Sequence, residues 1–522
     1  MIVALALVAA LQTAPLELRP SRPESYIGWF RLSAGGDVPI WLEFETSSGV
    51  PVVKLSLPAQ GSYGLVMEHA KIEEGGLTFS RTNKEGVTTT YTLKVDGDLR
   101  IGEAYRDGTK LGDLRVRRAA VRPTRGDGLV EAAGCYRADD GAVLRLSAWP
   151  WKELRCLDLS NGAERTLFVD ENGELFAGTS LYGAARIEAR YRLERDGSGK
   201  VTAMIRGERT YRRLEFNERE IEVGHLSGTL LVPASTTPPP VVIILGGSDV
   251  QVRGDVRWEA EILAALGVAA LSYDLSGRGK SGGVPIQTFD GSAQDISAIV
   301  GALATRRDID PRRIGLCGTS RGGWIGPLAA SRDDRIAFLI LLSAPAVSPR
   351  AQLTSCRLNF MRAAGYGEAE LKEARAYLDL MWQSHRSDPG WRRYSAKRNE
   401  IERKGWLPQL QGPPSRDSED YTWQKLNLDY EPETALRKVR CPVLCLFGSA
   451  DQVVEPSVSA PLFAAALAGS GNKDWTIKII PDASHGLNLV DAKTPLAGRP
   501  VEDEYGFAPS AWETVRQWLG AR

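Results

Sequence analysis

Histidine is the scarcest chemically useful residue in this chain, with four in 522 positions. Any reaction that needs an imidazole must therefore draw on His69, His225, His385 or His485. Cysteine is almost as sparse: six in the whole chain cannot build the disulfide framework of a small secreted domain. None of the six falls in a C-x-x-C pair or a Cys/His group with zinc spacing, so a structural metal is not expected. Net charge is absent too. The 65 Lys and Arg balance the 65 Asp and Glu, and no global field draws the chain to nucleic acid or an anionic membrane. No apolar run approaches the roughly 20 residues that a spanning helix needs, so no stable membrane insertion is expected.

What is present is a globular composition, 43% hydrophobic and 25% charged, able to bury a large core. The 522 residues suggest two to four domains rather than one. The first segment, Met1-Ile-Val-Ala-Leu-Ala-Leu-Val-Ala-Ala-Leu11, is too short to cross a bilayer and is followed by Gln12-Thr-Ala14. Residues 1–20 therefore read as a signal peptide, which implies a secreted or periplasmic protein, although the segment has no early Lys or Arg. In an oxidising compartment Cys135 and Cys156 could pair.

Residues 21–216 alternate short β-rich runs with Gly, Asp and Asn turns, as in Val52-Val-Lys-Leu-Ser-Leu57 and Thr88-Thr-Thr-Tyr-Thr-Leu-Lys-Val95. This part reads as all-β. Gly28-Trp-Phe-Arg-Leu32 and Gly134-Cys-Tyr-Arg-Ala138 are similar openers, and a duplicated β-unit is the economical reading. Residues 217–522 change rhythm to strand, helix, strand, helix, the pattern of a parallel sheet covered on both faces. The strands are apolar runs such as Val241-Val-Ile-Ile-Leu245, Ile314-Gly-Leu-Cys317 and Pro442-Val-Leu-Cys-Leu-Phe447. Residues from about 346 to 439 interrupt that rhythm with a charged, helix-like insertion carrying Trp382, Trp391, Trp406 and Trp423, and it reads as a cap.

The strand ending at Cys317 runs straight into Gly318-Thr-Ser320-Arg-Gly322-Gly323 and then a helix-like segment. That is the context of a nucleophile elbow, where a serine on a sharp turn needs glycine neighbours because a Cβ would collide with backbone. Ser320 is the candidate nucleophile. The N–H of Arg321 is a candidate oxyanion donor, and the glycine loop after the first parallel strand offers Gly247 and Ser248 as further backbone donors. A second G-x-S-x-G, Gly279-Lys-Ser281-Gly-Gly283, follows a loop and precedes no helix, so it lacks that context. His485 lies in Pro481-Asp-Ala-Ser-His-Gly486, a turn after the run Trp475 to Ile480, where a late loop delivers a base to the sheet's C-terminal edge. Its orienting acid should end an intervening strand, as Asp451 does; Asp482 is the nearest competitor. The order Ser320, Asp451, His485 is the serine, acid, histidine order of one hydrolase architecture.

Residues 220–522 resemble the bacterial α/β-hydrolases related to the serine aminopeptidase and acyl-hydrolase branches. The segment Asp310 to Ala330 is similar to that group's elbow, and Asp274-Leu-Ser-Gly-Arg-Gly-Lys-Ser281 to its Asp-x-Arg-Gly-x-Gly-x-Ser loop, with Ser276 in place of the usual Arg. Gly246 stands where many members carry the His of a His-Gly oxyanion motif. The resemblance implies an α/β-hydrolase fold with a helical cap, preceded here by an all-β N-terminal domain, and a serine hydrolase that works without metal or cofactor. The expected substrate is a small-molecule ester with a short or medium acyl group. An aminopeptidase acting on a short peptide or an acyl-thioesterase would use the same triad, and a non-catalytic binding protein on a degenerate hydrolase fold is the alternative of another class. Oligomeric state is left open.

Overall fold

The computed structural model describes residues 24–489 and 507–521, apart from short stretches at 33–36, 48–49, 58–61, 74–75, 97–98, 120–128, 149–153, 171 and 179–186. The signal-peptide reading of residues 1–20 lies outside the described residues. Contacts divide the chain into two compact units, the first built on residues up to 213 and the second on 214–492 with 507–522.

The first unit is all-β. Among the described residues, nine antiparallel strands from β1 (Glu24–Leu32) to β9 (Thr109–Arg118) form one sheet in which β1 pairs with both the second strand and β9, and the fourth and fifth strands are its two edges. Eight more, β10 (Gly134–Ala138) to β17 (Arg209–Arg213), form a closed barrel in which β10 pairs with β17. The two similar openers thus lie in the first strand of the sheet and of the barrel. Alternation decides which side chains enter each core: Tyr136, Leu144, Leu146, Cys156 and Tyr211 fill the barrel. The same alternation keeps the two cysteines apart. Cys135 sits opposite Arg145, while Cys156 sits opposite Leu146 on the strand Val143–Ala148 that separates them. Arg145 and Leu146 face opposite sides of the sheet, so the thiols do as well, two strand spacings apart, and the pairing that export would permit is not made.

The second unit is a twisted eight-stranded sheet with helices. Its strands are β18 (Phe216–Val223), β19 (Leu226–Pro233), β20 (Val241–Leu245), β21 (Ala269–Tyr273), β22 (Ile314–Thr319), β23 (Ile336–Leu342), β24 (Val443–Gly448) and β25 (Trp475–Ile480). They lie in the order β18-β19-β21-β20-β22-β23-β24-β25, antiparallel across the first three and parallel from β21 onward. Helices α1 (Arg257–Ala265), α2 (Phe289–Leu303), α3 (Gly322–Ala330), α10 (Pro456–Gly469) and α11 (Pro509–Gly520) complete the α/β layers. The interruption is helical, running from α4 (Pro349–Ala363) to α9 (Glu433–Leu436). Leu358, Tyr377, Trp382, Tyr394, Trp406 and Leu410 pack with one another there as a separate core.

The hairpin β18–β19 was not legible as part of this sheet. Asn217 to Glu220 are exposed, so β18 reads as a polar segment, although it pairs along its whole length with the fully buried β19. His225 lies in the turn between these two strands.

One helix position breaks the apolar pattern. Glu259 of α1 is 6% exposed, its Oε2 has no hydrogen-bond partner, and burial raises its pKa from 4.5 to about 7, with a smaller contribution from the negative charge of Asp249. A carboxyl that holds its proton more tightly when folded stabilises the fold fully below about pH 4.5 and loses that contribution as pH rises through about 7. Glu259→Gln should flatten this pH dependence and make the protein more stable than wild type at pH 8, by an amount on the order of 3 kcal/mol. Urea unfolding at pH 5 and pH 8 checks it.

Candidate active site

The end of β22 is built around glycine. A Cβ on Gly318 would stand 2.5 Å from the Gly322 carbonyl oxygen, and one on Gly322 would stand 2.2 Å from that of Leu245, so no larger residue fits either place. Between them Ser320 adopts φ 52°, a left-handed conformation that costs a non-glycine residue roughly 1–2 kcal/mol. Its backbone is tied down on both sides: its N–H donates to Leu342 O at 3.0 Å, and Gly323 N–H donates to its carbonyl at 2.8 Å. Ser320 therefore projects from the mouth of a strand into the start of α3.

Asp451 follows β24 in a turn leading to α10. Its side chain is sealed from solvent, and both oxygens are occupied. Oδ1 accepts from the amides of Val453 and Val454, each at 2.8 Å, and Oδ2 accepts from His485 Nδ1–H at 2.8 Å. The carboxylate is both the brace of its own turn and the anchor of the imidazole, and the bond to Nδ1 leaves Nε2 as the basic nitrogen. The histidine loop reaches Asp451 because Gly448 lets it, a Cβ there being 2.2 Å from the Ala483 carbonyl oxygen. Asp482 is exposed, sits at φ 52°, and is held through its own amide by Ser449 Oγ at 2.9 Å, with no contact to the imidazole. The structure thus brings Asp451 and His485 together. Among the described residues it makes no hydrogen bond between Ser320 and His485, a bond that in unliganded hydrolases is often long and tightens on substrate.

The three backbone donors proposed from the sequence share one property. Among the described residues, the N–H groups of Gly247, Ser248 and Arg321 donate no hydrogen bond. Gly247 also lies beside Ser320, since a Cβ placed on it would come 3.7 Å from Ser320 Cβ. Unused amides of this kind are what an oxyanion would require.

The other serine motif is spent on structure. Ser281 Oγ donates to Asp274 O at 2.7 Å and accepts from Ser227 N–H at 2.9 Å, and the residue is buried. The Asp274 carboxylate organises the same loop by accepting from the amides of Arg253 and Lys280, each at 2.8 Å. The glycine at 279, at φ 52°, lets the chain close over it.

One cluster escaped the sequence. His225 Nε2 lies 2.5 Å from Ser276 Oγ and 3.5 Å from Asp295 Oδ1, while Ser276 Oγ donates to Asp295 Oδ2 at 3.1 Å. Serine and acid both meet the same ring nitrogen, so this is not a relay in which the acid holds one nitrogen and the serine faces the other. It is a set of bonds that satisfies a buried carboxylate. The available signal was Asp295 itself, a charge flanked by Ala293 and Ile296 on the inward face of α2.

Residues 241–489 match the family model described as serine aminopeptidase, S33. With the sheet order, this supports the fold. The second unit has an α/β-hydrolase fold. A 31.7 kDa uncharacterized protein of the traX-finO intergenic region of Escherichia coli is 24% identical over 220 residues, covering 40% of this chain and 72% of that one. Among solved structures, the Pyrococcus furiosus esterase Pf2001 aligns at 17% identity over 59% of this chain and 91% of its own, with a TM-score of 0.37. The α/β-hydrolase GrgF from Penicillium sp. sh18 aligns at 18% identity over 52% and 91%, with a TM-score of 0.34.

Within this fold, Ser281→Ala strands a buried N–H and a buried carbonyl, and should cost about 1–3 kcal/mol of stability. Its thermal midpoint should fall while covalent labelling by a fluorophosphonate persists.

Proposed function

We propose that the chain is a serine hydrolase that cleaves a carboxylic ester with a short or medium acyl group. The observation that carries this reading is the buried Asp451 carboxylate holding His485 Nδ1–H at 2.8 Å, on a loop next to the strand that follows the serine elbow. Ser320 Oγ attacks the carbonyl carbon and gives its proton to His485 Nε2, while Asp451 stabilises the imidazolium. The amides of Arg321 and of Gly247 or Ser248 take the oxyanion. The alcohol leaves with the proton from His485, and a water activated by the same imidazole releases the acid. On this reading the apolar run at residues 1–11 serves export to the periplasm or beyond.

Ester cleavage is preferred to removal of an N-terminal amino acid because a free ammonium needs an uncommitted carboxylate. Of the cap's acidic residues, Glu373 is taken by Lys397 and Lys404, at 2.7 and 2.6 Å, which holds its pKa down at about 2. Glu368 and Asp379 stand exposed at helical spacing.

Ser320→Ala should abolish both fluorophosphonate labelling and turnover of a panel of acyl esters, acyl thioesters and aminoacyl arylamides; wild-type protein that resists labelling would mean a binding protein on a hydrolase scaffold. If arylamides outrun every ester in kcat/KM, the aminopeptidase reading replaces this one, and a thioester preference replaces it likewise.

Asp451→Asn should leave the fold intact but present the wrong tautomer of His485, with a loss in kcat that approaches about ten-thousand-fold. Asp482→Asn should cost less than about threefold, within the ordinary range of surface substitutions. Steady-state kinetics of the two variants, with circular dichroism as the folding control, decide between the two acids.

A further inference from the structure

The residue after the nucleophile carries a charge that nothing in the protein answers. Arg321 forms no ion pair and no side-chain hydrogen bond among the described residues, and its Nε is closed off from solvent without a partner. Burial lowers its pKa from the usual arginine value, a sign that the surroundings penalise the cation rather than stabilise it. Yet an arginine does not discharge, and this half-buried guanidinium keeps its charge with no protein partner to offset the water that its Nε has lost.

This side chain lines a cleft bounded by Leu245 and Gly246 of the oxyanion loop, by Ser276 and Asp295, and by Phe289 and Trp423 on the apolar side. The charge balance of the cleft can be followed group by group. The Asp295 carboxylate has its own partners in Ser276 and His225. Tyr273 is buried, which raises its pKa and keeps the hydroxyl neutral. Asp249 acts on Arg321 only at a distance, being exposed on the loop and forming no ion pair with it. Asp295 is thus held by Ser276 and His225 rather than by Arg321, and the guanidinium one residue from Ser320 is the charged group of the cleft left without a hydrogen-bond partner among the described residues. Guanidinium is the side-chain group whose planar fork fits a carboxylate by two parallel hydrogen bonds.

We propose that Arg321 receives a carboxylate of the substrate, so that the preferred esters carry a free carboxylate within one arginine side chain's reach of the scissile carbonyl. This rests on Ser320 being the nucleophile, and it adds what that reading leaves open, the chemical class of the substrate. The carboxylate can belong to the acyl group, as in a half-ester of a dicarboxylic acid, or to the alcohol, as in an acyl ester of a hydroxy acid. The recognition is the same in both.

The test compares matched pairs: 4-nitrophenyl hydrogen glutarate against 4-nitrophenyl valerate for the acyl side, and butyryl-lactate against butyryl-lactamide for the alcohol side. Wild type should favour the charged member of one pair by about 10- to 100-fold in kcat/KM, the worth of one charge-assisted hydrogen-bonded pair. The pair that shows the preference identifies the side. Arg321→Gln should erase that ratio, and Arg321→Lys, which keeps the charge without the fork, should retain part of it. Fluorophosphonate labelling of each variant reports separately whether Ser320 is still reactive. A labelled wild type that turns over neutral esters at least as well as charged ones, or a ratio unchanged in a folded Arg321→Gln, overturns the carboxylate site and leaves the hydrolase reading standing. If no labelling occurs, binding decides instead. Glutarate, and not glutaramide, should raise the melting temperature of Ser320→Ala but not of Ser320→Ala with Arg321→Gln, and equal shifts in the two would overturn the site.

Discussion

The left-handed backbone of Ser320 is the constraint on which the loops at the C-terminal edge of the sheet depend. A side-chain-bearing residue at φ 52° persists only where its neighbours allow no other path, and here they are glycines packed against carbonyl oxygens at 2.5 and 2.2 Å. β22 is central in the sheet, flanked by β20 and β23, so the turn that ends it is braced from both sides. The loop after β20 places Gly247 beside the serine, and Asp451 and His485 follow β24 and β25 on the other side. A parallel sheet ends all these strands at one edge, so the loops that carry these residues leave the sheet from the same side.

Three carboxyl groups inside the second unit show how burial without compensation differs from burial with it. Asp451 has all its acceptor demand met by two amides and an imidazole, and Asp295 is met by a hydroxyl and a second imidazole. Glu259 leaves one oxygen without a partner, and its pKa moves to about 7. For the first two, hydrogen bonds replace the water that burial removes. Arg321 stands on the other side of this balance, a cation whose Nε has no partner among the described residues.

The cap illustrates a different economy. Its aromatic residues are numerous enough to suggest a hydrophobic binding site, yet Trp382, Trp406, Tyr377 and Tyr394 bury one another. A helical insertion of this length must form a core of its own before it can offer a surface to a ligand. Trp423 alone of the cap's tryptophans lines the cleft, where it meets Phe289 edge-on at 6.1 Å.

Local sequence determined the order of strands and helices, the elbow at Ser320 and the loop positions of Asp451 and His485. Apolar runs, glycine spacing and chain order are properties of neighbouring residues, and they survive into the fold unchanged. The two serine motifs were also separable on local grounds, because one is followed by a helix and the other is not. What neighbours alone do not reveal is a pairing across the sheet. The polar outer face of β18 hid its place at the sheet's edge, and with it the position of His225. The meeting of His225, Ser276 and Asp295 joins a hairpin turn, a loop and a helix far apart in sequence. The separation of Cys135 from Cys156 was decided by strand register in the barrel. The isolation of Arg321 is of the same kind: its residue type is plain in the sequence, but whether a buried charge has a partner depends on every segment packed around it.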